Sequence, residues 1–212
     1  MGKITGLTTQ QRDQNRVNVY LDGEYAFSLA VEVAIHLQVG QVLSPDEMAA
    51  LQAQDTVEKA RHAALRLLEY RPRSRVEIEN NLRQKGFDDK VIAAVVTRLQ
   101  EVALLDDELF ARYWIDQRET FKPRSRIALQ QELMQKGVSR TLIDTVLADL
   151  DETDAARRAA KARISRWANL PEEAFRLKMG NFLQRRGFNY EIVKEVTSEM
   201  WQIISDNTDA TM

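Results

Sequence analysis

Two short basic segments hold the residues of this sequence that are best suited to binding an anion. The first is Tyr70-Arg71-Pro72-Arg73-Ser74-Arg75 and the second is Phe121-Lys122-Pro123-Arg124-Ser125-Arg126. Ser74 and Ser125 are of the type that caps a helix N-terminus, where free N–H groups suit carboxylates and phosphates. Cations near such an end destabilise the helix by about 0.3–1 kcal/mol each, so helix stability does not explain them. We therefore predict an anion-binding role for the six cations of these segments, namely Arg71, Arg73, Arg75, Lys122, Arg124 and Arg126. A purely solvated face is the alternative.

A second set of cations lies next to three glycines or shortly after a run of acidic residues. Lys85 precedes Gly86, Lys136 precedes Gly137, and Arg186 precedes Gly187. If each glycine ends a helix in the left-handed conformation, the preceding cation sits favourably near the negative helix end. The three glycines and the two serines are therefore predicted to be structural caps. Lys85 and Lys136 are secondary binding candidates, as are Arg112 and Arg118, which follow the acidic run that begins at Asp106.

Residues for catalysis or metal binding are scarce. The chain has no cysteine, and neither of its two histidines, His36 and His62, has a partner at ligand spacing, so both are interpreted as structural. There is no glycine-rich phosphate loop, no Gly-x-Ser-x-Gly elbow and no His-Glu-x-x-His helix. The adjacent carboxylates Asp88 and Asp89 point in different directions on a helix. We predict a protein without catalytic residues, metal or cofactor.

Composition is that of an ordinary globular chain of one or two domains. Its 212 residues are 44% hydrophobic and 29% charged, and 30 basic against 32 acidic residues leave a net charge of −2. This balance argues against a polycation that coats nucleic acid, although residues 57–103 alone carry 10 basic and 7 acidic side chains. No run approaches the roughly 18 apolar residues of a membrane span, and the first residues lack a secretory signal. A cytoplasmic protein with no membrane contact is expected.

The first 44 residues have the pattern of strands. Alternating apolar residues on either side of Asp22-Gly23 predict a β-hairpin, and Ile4 to Leu7 is a candidate third strand. Ser44, followed by Pro45 and Glu47, predicts the clearest helix start in the chain.

From this helix onward the sequence repeats. The Pro-Arg-Ser-Arg segment recurs after 51 residues, and the Lys-Gly pair recurs after 51 residues and again, as Arg-Gly, after 50 more. Each copy is predicted to hold three helices, the third capped by Asp88, Ser139 or Asn189. Trp114, Trp167 and Trp201 are assigned to the core.

The predicted fold class is mainly α: three tandem three-helix, helix-turn-helix-like repeats in a curved array, preceded by a small β-hairpin element. The predicted boundaries are a hairpin extension at 1–44, a connecting helix at 45–56, repeats at 57–103, 104–150 and 151–204, and a disordered tail at 205–212.

Several of these motifs together resemble the RecX family. They are the segment at 70–75, Gln84-Lys85-Gly86-Phe87, Leu104-Leu105-Asp106-Asp107 and Phe110-Ala111-Arg112-Tyr113-Trp114, in that order. The resemblance covers about residues 57–204, and the N-terminal hairpin resembles the extension of longer members. The third repeat departs most from the pattern.

The resemblance implies a non-enzymatic regulator that binds the RecA recombinase and its filament on single-stranded DNA. It would inhibit ATP hydrolysis, strand exchange and coprotease activity, act as a monomer and modulate DNA repair, recombination and the SOS response. Contact with single- or double-stranded DNA would be weak or indirect. The cations named above would then contact RecA or DNA. The alternative is a helix-turn-helix DNA-binding protein that acts without RecA, with strongly salt-dependent binding.

Overall fold

The computed structural model describes the backbone of residues 1–209 and the side chains of residues 1–206. These fall into two compact units, of which the first is Met1–Leu105 and the second begins at Asp106. No helix in the described part is long and apolar enough to cross a membrane.

The first unit begins with a small antiparallel sheet. Its strands are β1 (Gly2–Thr9), β2 (Arg16–Leu21), β3 (Glu24–Ala30) and β4 (Val42–Leu43), in the order β3-β2-β1-β4, and the short helix α1 (Val31–Ala34) follows β3. The predicted hairpin is confirmed: Asp22 and Gly23 both have positive φ, at 52° and 96°, as a type I′ turn requires. Ile4 lies on β1, which pairs with β2. The sheet is thus larger than the hairpin alone.

The long helix α2 (Pro45–Leu68) follows the sheet. Ser44 accepts a hydrogen bond from the Glu47 N–H, and the Glu47 carboxylate accepts one from the Ser44 N–H, which confirms the predicted capping box. The helix runs through residues 56 and 57, where a connecting helix and the first repeat were assigned to separate segments. No glycine or proline interrupts it between Asp46 and Leu68, so nothing ends it there.

Asp55 of α2 forms hydrogen bonds and ion pairs that link this helix to the sheet. Asp55 is 3% exposed. Its carboxylate accepts a hydrogen bond from the Ala30 N–H at 2.7 Å and forms ion pairs with Arg16 at 3.2 Å and Lys59 at 2.8 Å. Burial raises the pKa of Asp55, but the hydrogen bonds from Arg16, Lys59 and Ala30 outweigh it, and the pKa is lowered overall. A charged carboxylate therefore joins β2, the end of β3 and α2.

Helix α2 forms the first three-helix repeat with α3 (Arg75–Gln84) and α4 (Asp89–Glu101). The apolar positions identified from the sequence meet in its core. This core includes Ala60, Ala64, Ile78, Leu82, Ile92, Val95, Val96 and Leu99.

The second unit contains two further repeats of the same plan. One consists of α5 (Asp107–Phe121), α6 (Arg126–Gln135) and α7 (Arg140–Val146), and the other of α8 (Glu152–Trp167), α9 (Glu172–Gln184) and α10 (Tyr190–Asp209). Their separate cores centre on Phe110 and on Phe175, both fully buried. Helix α10 includes residues 205–209, which the sequence analysis assigned to a disordered tail; residues 210–212 lie outside the described residues.

The repeated glycines end the middle helix of each repeat as predicted. In the first repeat the Gly86 N–H bonds the Arg83 carbonyl, the Phe87 N–H bonds the Leu82 carbonyl, and φ of Gly86 is +86°. Gly137 and Gly187 reproduce both hydrogen bonds, with φ of +80° and +91°. These are Schellman caps, in which glycine avoids the strain of a Cβ at positive φ. The predicted serine and third-helix caps also form, at Ser74, Ser125, Asp88, Ser139 and Asn189.

Candidate functional site

The arginines of the first basic segment contact their own repeat. Both Arg71 Nη atoms lie near the Glu77 carboxylate, at 3.1 and 3.2 Å, and Nη1 also donates to the Pro72 carbonyl at 2.8 Å. Arg73 Nε donates to the Leu67 carbonyl at 3.4 Å. Arg75 is paired with Glu79 on the next turn of α3. Arg71 thus joins the loop after α2 to α3 and Arg73 joins that loop to the end of α2, whereas the Arg75 pair lies within α3.

The second basic segment behaves in the same way, apart from its lysine. Arg124 Nε lies 3.0 Å from the Glu132 carboxylate, and Arg126 donates to carbonyls just after α7, namely those of Leu147 and, at 3.0 Å, Leu150. Lys122 is exposed and has no ion pair or side-chain hydrogen bond within residues 1–206. It is the cation of this segment that could meet an external anion without first losing a partner.

Glu132 connects several of the predicted cations around one tryptophan. Its carboxylate accepts from Trp114 Nε1 at 2.7 Å and from Arg118 Nε at 2.8 Å, in addition to Arg124. The Arg118 guanidinium and Lys136 Nζ lie 4.7 and 5.2 Å from the Trp114 ring centroid. Trp114 is half-buried on the core of its repeat, so this cluster is a structural support for α5 and α6.

Intramolecular contacts account for the arginines of both basic segments. We inferred a binding role because helix stability left the arginines unexplained, whereas the structure gives each of them an intramolecular partner. Arg112 also pairs with Glu108, at 2.8 Å, although it is 59% exposed. Binding by these ten cations stays a prediction.

The loop of the second segment is also covered by the third repeat. Arg186 Nη1 donates to the Pro123 carbonyl at 2.8 Å, and the Ser125 N–H donates to the Arg186 carbonyl at 3.1 Å. Burial lowers the pKa of Arg186, and the positive charges of Arg124 and Arg163 lower it further. The cation before the third glycine thus serves as a contact between repeats.

A basic cavity of about 460 Å³ in the first unit was not foreseen from the sequence. It lies between the sheet and the first repeat, and its cations are Arg16, Lys59, Arg66 and Lys85. Arg16 and Lys59 are held by Asp55, but Arg66 and Lys85 have no ion pair in the part of the chain described. The cations come from β2, α2 and the end of α3, so no local motif could have indicated the cavity.

The histidines have different environments. His36 is exposed, whereas His62 Nε2 lies 3.1 Å from a Glu32 carboxylate oxygen. Glu32, Glu58 and His62 are close enough to share a metal ion, but Arg61 pairs with Glu58 at 2.6 Å and with Glu32 at 3.5 Å. A backbone hydrogen bond lowers the pKa of Glu32 against the effect of burial, and His62 and Arg61 lower it further. We interpret the cluster as an ion-pair network that joins α1 to α2.

Comparison with known proteins identifies the arrangement of a small sheet and three helix triplets. Four family models match: the regulatory protein RecX N-terminal domain at residues 2–44, and the first, second and third three-helix domains of RecX at 60–99, 106–147 and 150–197. The chain belongs to the RecX family. The resemblance and the predicted fold class are thereby confirmed.

Individual RecX proteins match over most of their length. The chain is 30% identical over 213 residues to the regulatory protein RecX of Bacillus subtilis, covering 98% of this chain and 80% of that protein. It is 37% identical over 161 residues to the RecX of Mycolicibacterium smegmatis, covering 73% and 86%. A crystal structure of regulatory protein RecX superposes with a TM-score of 0.72 at 26% identity, covering 93% of this chain and all of that one. RecX from Lactobacillus salivarius, at 21% identity and a TM-score of 0.59, shares the fold.

Proposed function

We propose that this protein binds the RecA recombinase and its filament on single-stranded DNA and inhibits ATP hydrolysis, strand exchange and coprotease activity. It would act in the cytoplasm as a monomer, within DNA repair, recombination and the SOS response. The observation that carries the proposal is the match to all four RecX domain models, in order, along residues 2–197. The protein family is one of regulators, and RecA is the target that the sequence resemblance implies.

Exposed lysines are the best candidates for the contact. Lys85 lies at the end of α3, the middle helix of the first repeat, and Lys122 lies just before α6, the middle helix of the second. Both are exposed, and neither has an ion pair in the described residues. A carboxylate of RecA or a phosphate of its DNA could pair with them at no loss of an internal bond. Each such exposed contact is weak, about 0.2–1 kcal/mol. Several contacts on one chain raise the affinity through effective concentration.

The arginines contribute in a different way under this proposal. Arg71 and Arg124 already neutralise Glu77 and Glu132, so binding an external anion would require sharing or exchanging that partner. We propose that they set the loop conformation and present the remaining donors of the guanidinium group. We propose the same role for Arg73 and Arg75 in the first unit, and for Arg112, Arg118, Arg126 and Lys136 in the second.

The test measures RecA-catalysed ATP hydrolysis on single-stranded DNA while the protein is titrated in. We expect inhibition by the unaltered chain, and a rise of about tenfold in the half-inhibitory concentration for the double variant K85E/K122E. The matched control K90E/K194E reverses two other exposed lysines and should retain the original potency. If K85E/K122E inhibits as well as the unaltered chain, the lysine assignment is wrong. Absence of any inhibition by the unaltered chain would contradict the proposed function itself.

A DNA-only titration alongside distinguishes the alternative. A helix-turn-helix protein that acts without RecA would bind duplex DNA tightly, at concentrations below those that inhibit RecA, and with strong dependence on salt. The net charge of −2 favours the RecA proposal over this one.

A further inference from the structure

The third repeat contains a basic cavity that none of the predicted site residues line. It has a volume of about 410 Å³ and lies between α8 and α9. Four cations line it: Arg163 and Arg166 from α8, Lys178 from α9 and Arg185 from the end of α9. All four are exposed, and no acidic residue is among the lining residues.

These cations lack the internal partners that the predicted arginines have. Within residues 1–206, Arg166, Lys178 and Arg185 make no ion pair and no side-chain hydrogen bond, and the Arg163 guanidinium lies 5.8 Å from the Phe182 ring centroid. The segment 151–212 carries 10 basic and 10 acidic side chains, so its composition gives no sign of the cluster. Acidic residues of α10, Glu195 and Glu199, pair instead with Arg157. Four cations around the mouth of one cavity favour an anionic ligand there.

Two aromatic rings indicate what kind of anion fits. Trp167 and Phe182 line the same cavity, with ring centroids 5.7 Å apart in an edge-to-face arrangement. Both side chains are half-buried against the core. The Arg186 guanidinium lies 4.7 Å from the Phe182 ring centroid, so Trp167 is the ring better placed to receive a ligand. Asn181, also in the lining, offers amide donors and an acceptor. Proteins that bind single-stranded nucleic acids use cations to contact the phosphates and aromatic rings to stack on the bases, and this cavity combines both.

Helix periodicity brings these side chains together. Arg163, Arg166 and Trp167 have the spacing i, i+3, i+4 on α8, and Lys178, Asn181 and Phe182 have the same spacing on α9. Residues at this spacing share one helix face. The two faces meet at the cavity, and Arg185 extends the α9 face by one further turn.

We propose that this cavity binds a nucleotide of single-stranded DNA, with the phosphate held by Arg163 and Arg166 and the unpaired base stacked on Trp167. Bases in a duplex are already stacked on their neighbours and could not reach a half-buried ring in a cavity. An acidic polypeptide would satisfy the cations but would leave the rings and Asn181 unused. The proposal goes beyond the proposed function, because it requires no RecA.

The first experiment uses the full chain without RecA. Binding of a fluorescein-labelled oligothymidylate of about 16 nucleotides is followed by fluorescence anisotropy over a range of salt concentrations. In the variant R163Q/R166Q we expect the Kd to rise about tenfold. The slope of log K against log salt should fall by about 0.7, the contribution of one single-strand phosphate contact. The control K161Q/K194Q removes two exposed lysines of the same repeat that do not line the cavity and should leave the Kd within about twofold.

A second experiment locates the base without altering the fold. An oligonucleotide containing 5-iodouracil is photocrosslinked to the unaltered chain, and the modified peptide is identified by mass spectrometry. We expect the crosslink at Trp167 or Phe182, and its loss in R163Q/R166Q.

Three results would overturn the proposal. They are an unchanged Kd and salt slope for R163Q/R166Q, crosslinks confined to residues outside 163–185, and binding of a duplex as tight as that of the single strand. Binding of polyglutamate that depends on Arg163 and Arg166, without binding of the oligonucleotide, would assign the cavity to an acidic protein instead. Because RecA is absent throughout, failure here leaves the proposed function standing, and failure of RecA inhibition leaves this test unaffected.

Discussion

Gly187 packs directly against Ser125, and no side chain fits between them. A Cβ on Gly187 would lie 2.5 Å from Ser125 Oγ and 3.1 Å from Ala128 Cβ. Ser125 caps α6, and its N–H donates to the carbonyl of Arg186. The glycine that ends one middle helix therefore lies on the capping residue of the middle helix before it.

Gly187→Ala should destabilise the second unit more than Gly86→Ala destabilises the first. Both glycines have positive φ, so either alanine costs about 1–2 kcal/mol of backbone strain. Gly86 faces open space, whereas the methyl group at 187 also clashes with Ser125, which adds about 1–3 kcal/mol. Urea unfolding followed by circular dichroism measures the free energy of unfolding of each variant. Equal losses would mean that the contact with Ser125 relaxes without penalty.

Asp55→Asn should destabilise the first unit by about 3 kcal/mol, because removing one partner leaves Arg16 without its charge complement at the junction of sheet and helix. The exposed Asp46→Asn, on the same helix, should change the free energy of unfolding by only about 0.5 kcal/mol. Urea unfolding of the two variants measures both values. A loss at Asp55 no larger than that at Asp46 would show that the buried ion pair does not stabilise the junction.

The stabilisation by Asp55 should also depend on pH. The pKa of Asp55 is lower in the folded chain than in the unfolded chain, where it is about 3.9. The stabilisation is therefore complete above about pH 4 and is lost as the pH falls through the folded pKa. The difference in unfolding free energy between the unaltered chain and Asp55→Asn should shrink below about pH 4. A difference that stays constant into more acidic solution would contradict the lowered pKa.

Glu132→Gln should weaken the packing of α5 on α6. The amide keeps the shape of the carboxylate but loses the charge that Arg118 and Arg124 share, so we expect a loss of about 1–3 kcal/mol. The hydrogen bond from Trp114 Nε1 should weaken as well, and a change in the near-ultraviolet circular dichroism would report it. An unchanged spectrum together with unchanged stability would mean that the cluster is not structural.

Arg126→Met and Arg112→Met compare two of the predicted binding arginines. Arg126 bonds carbonyls just after α7, so its loss leaves those acceptors with fewer partners and should cost about 1–2 kcal/mol. Arg112 makes one exposed ion pair within its helix, so its replacement should lower the free energy of unfolding by only about 0.3–0.5 kcal/mol. Thermal unfolding of both variants measures the contrast. Equal losses of stability in the two variants would show that the contacts of Arg126 stabilise the fold no more than the exposed ion pair of Arg112.

Local features of the fold could be predicted because their causes lie within a few residues of the chain. The turn at Asp22-Gly23, the box at Ser44 and the caps at Gly86, Gly137 and Gly187 each depend on backbone geometry that one or two residue types allow. The repeat itself was visible because matched apolar positions recur at a fixed period. The continuity of α2 was not foreseen, because the repeat pattern begins near residue 57 and a sequence repeat does not show where a helix begins. The helix in fact begins at Pro45.

The amino-acid sequence by itself determined the elements, their caps, the threefold repeat and, through its motifs, membership of the RecX family. Only the tertiary structure decided which charges are already neutralised and which remain open to a ligand. Glu77 and Glu132 follow Arg71 and Arg124 by only six and eight residues, and each pair forms because the loop folds back on the helix that follows it. The cluster of Arg163, Arg166, Lys178 and Arg185 is hidden in the composition, because residues 151–212 hold ten acidic and ten basic side chains. The fold places two of those acids, Glu195 and Glu199, beside Arg157. Electrostatic interaction depends on distance in space, and distance along the chain does not fix it.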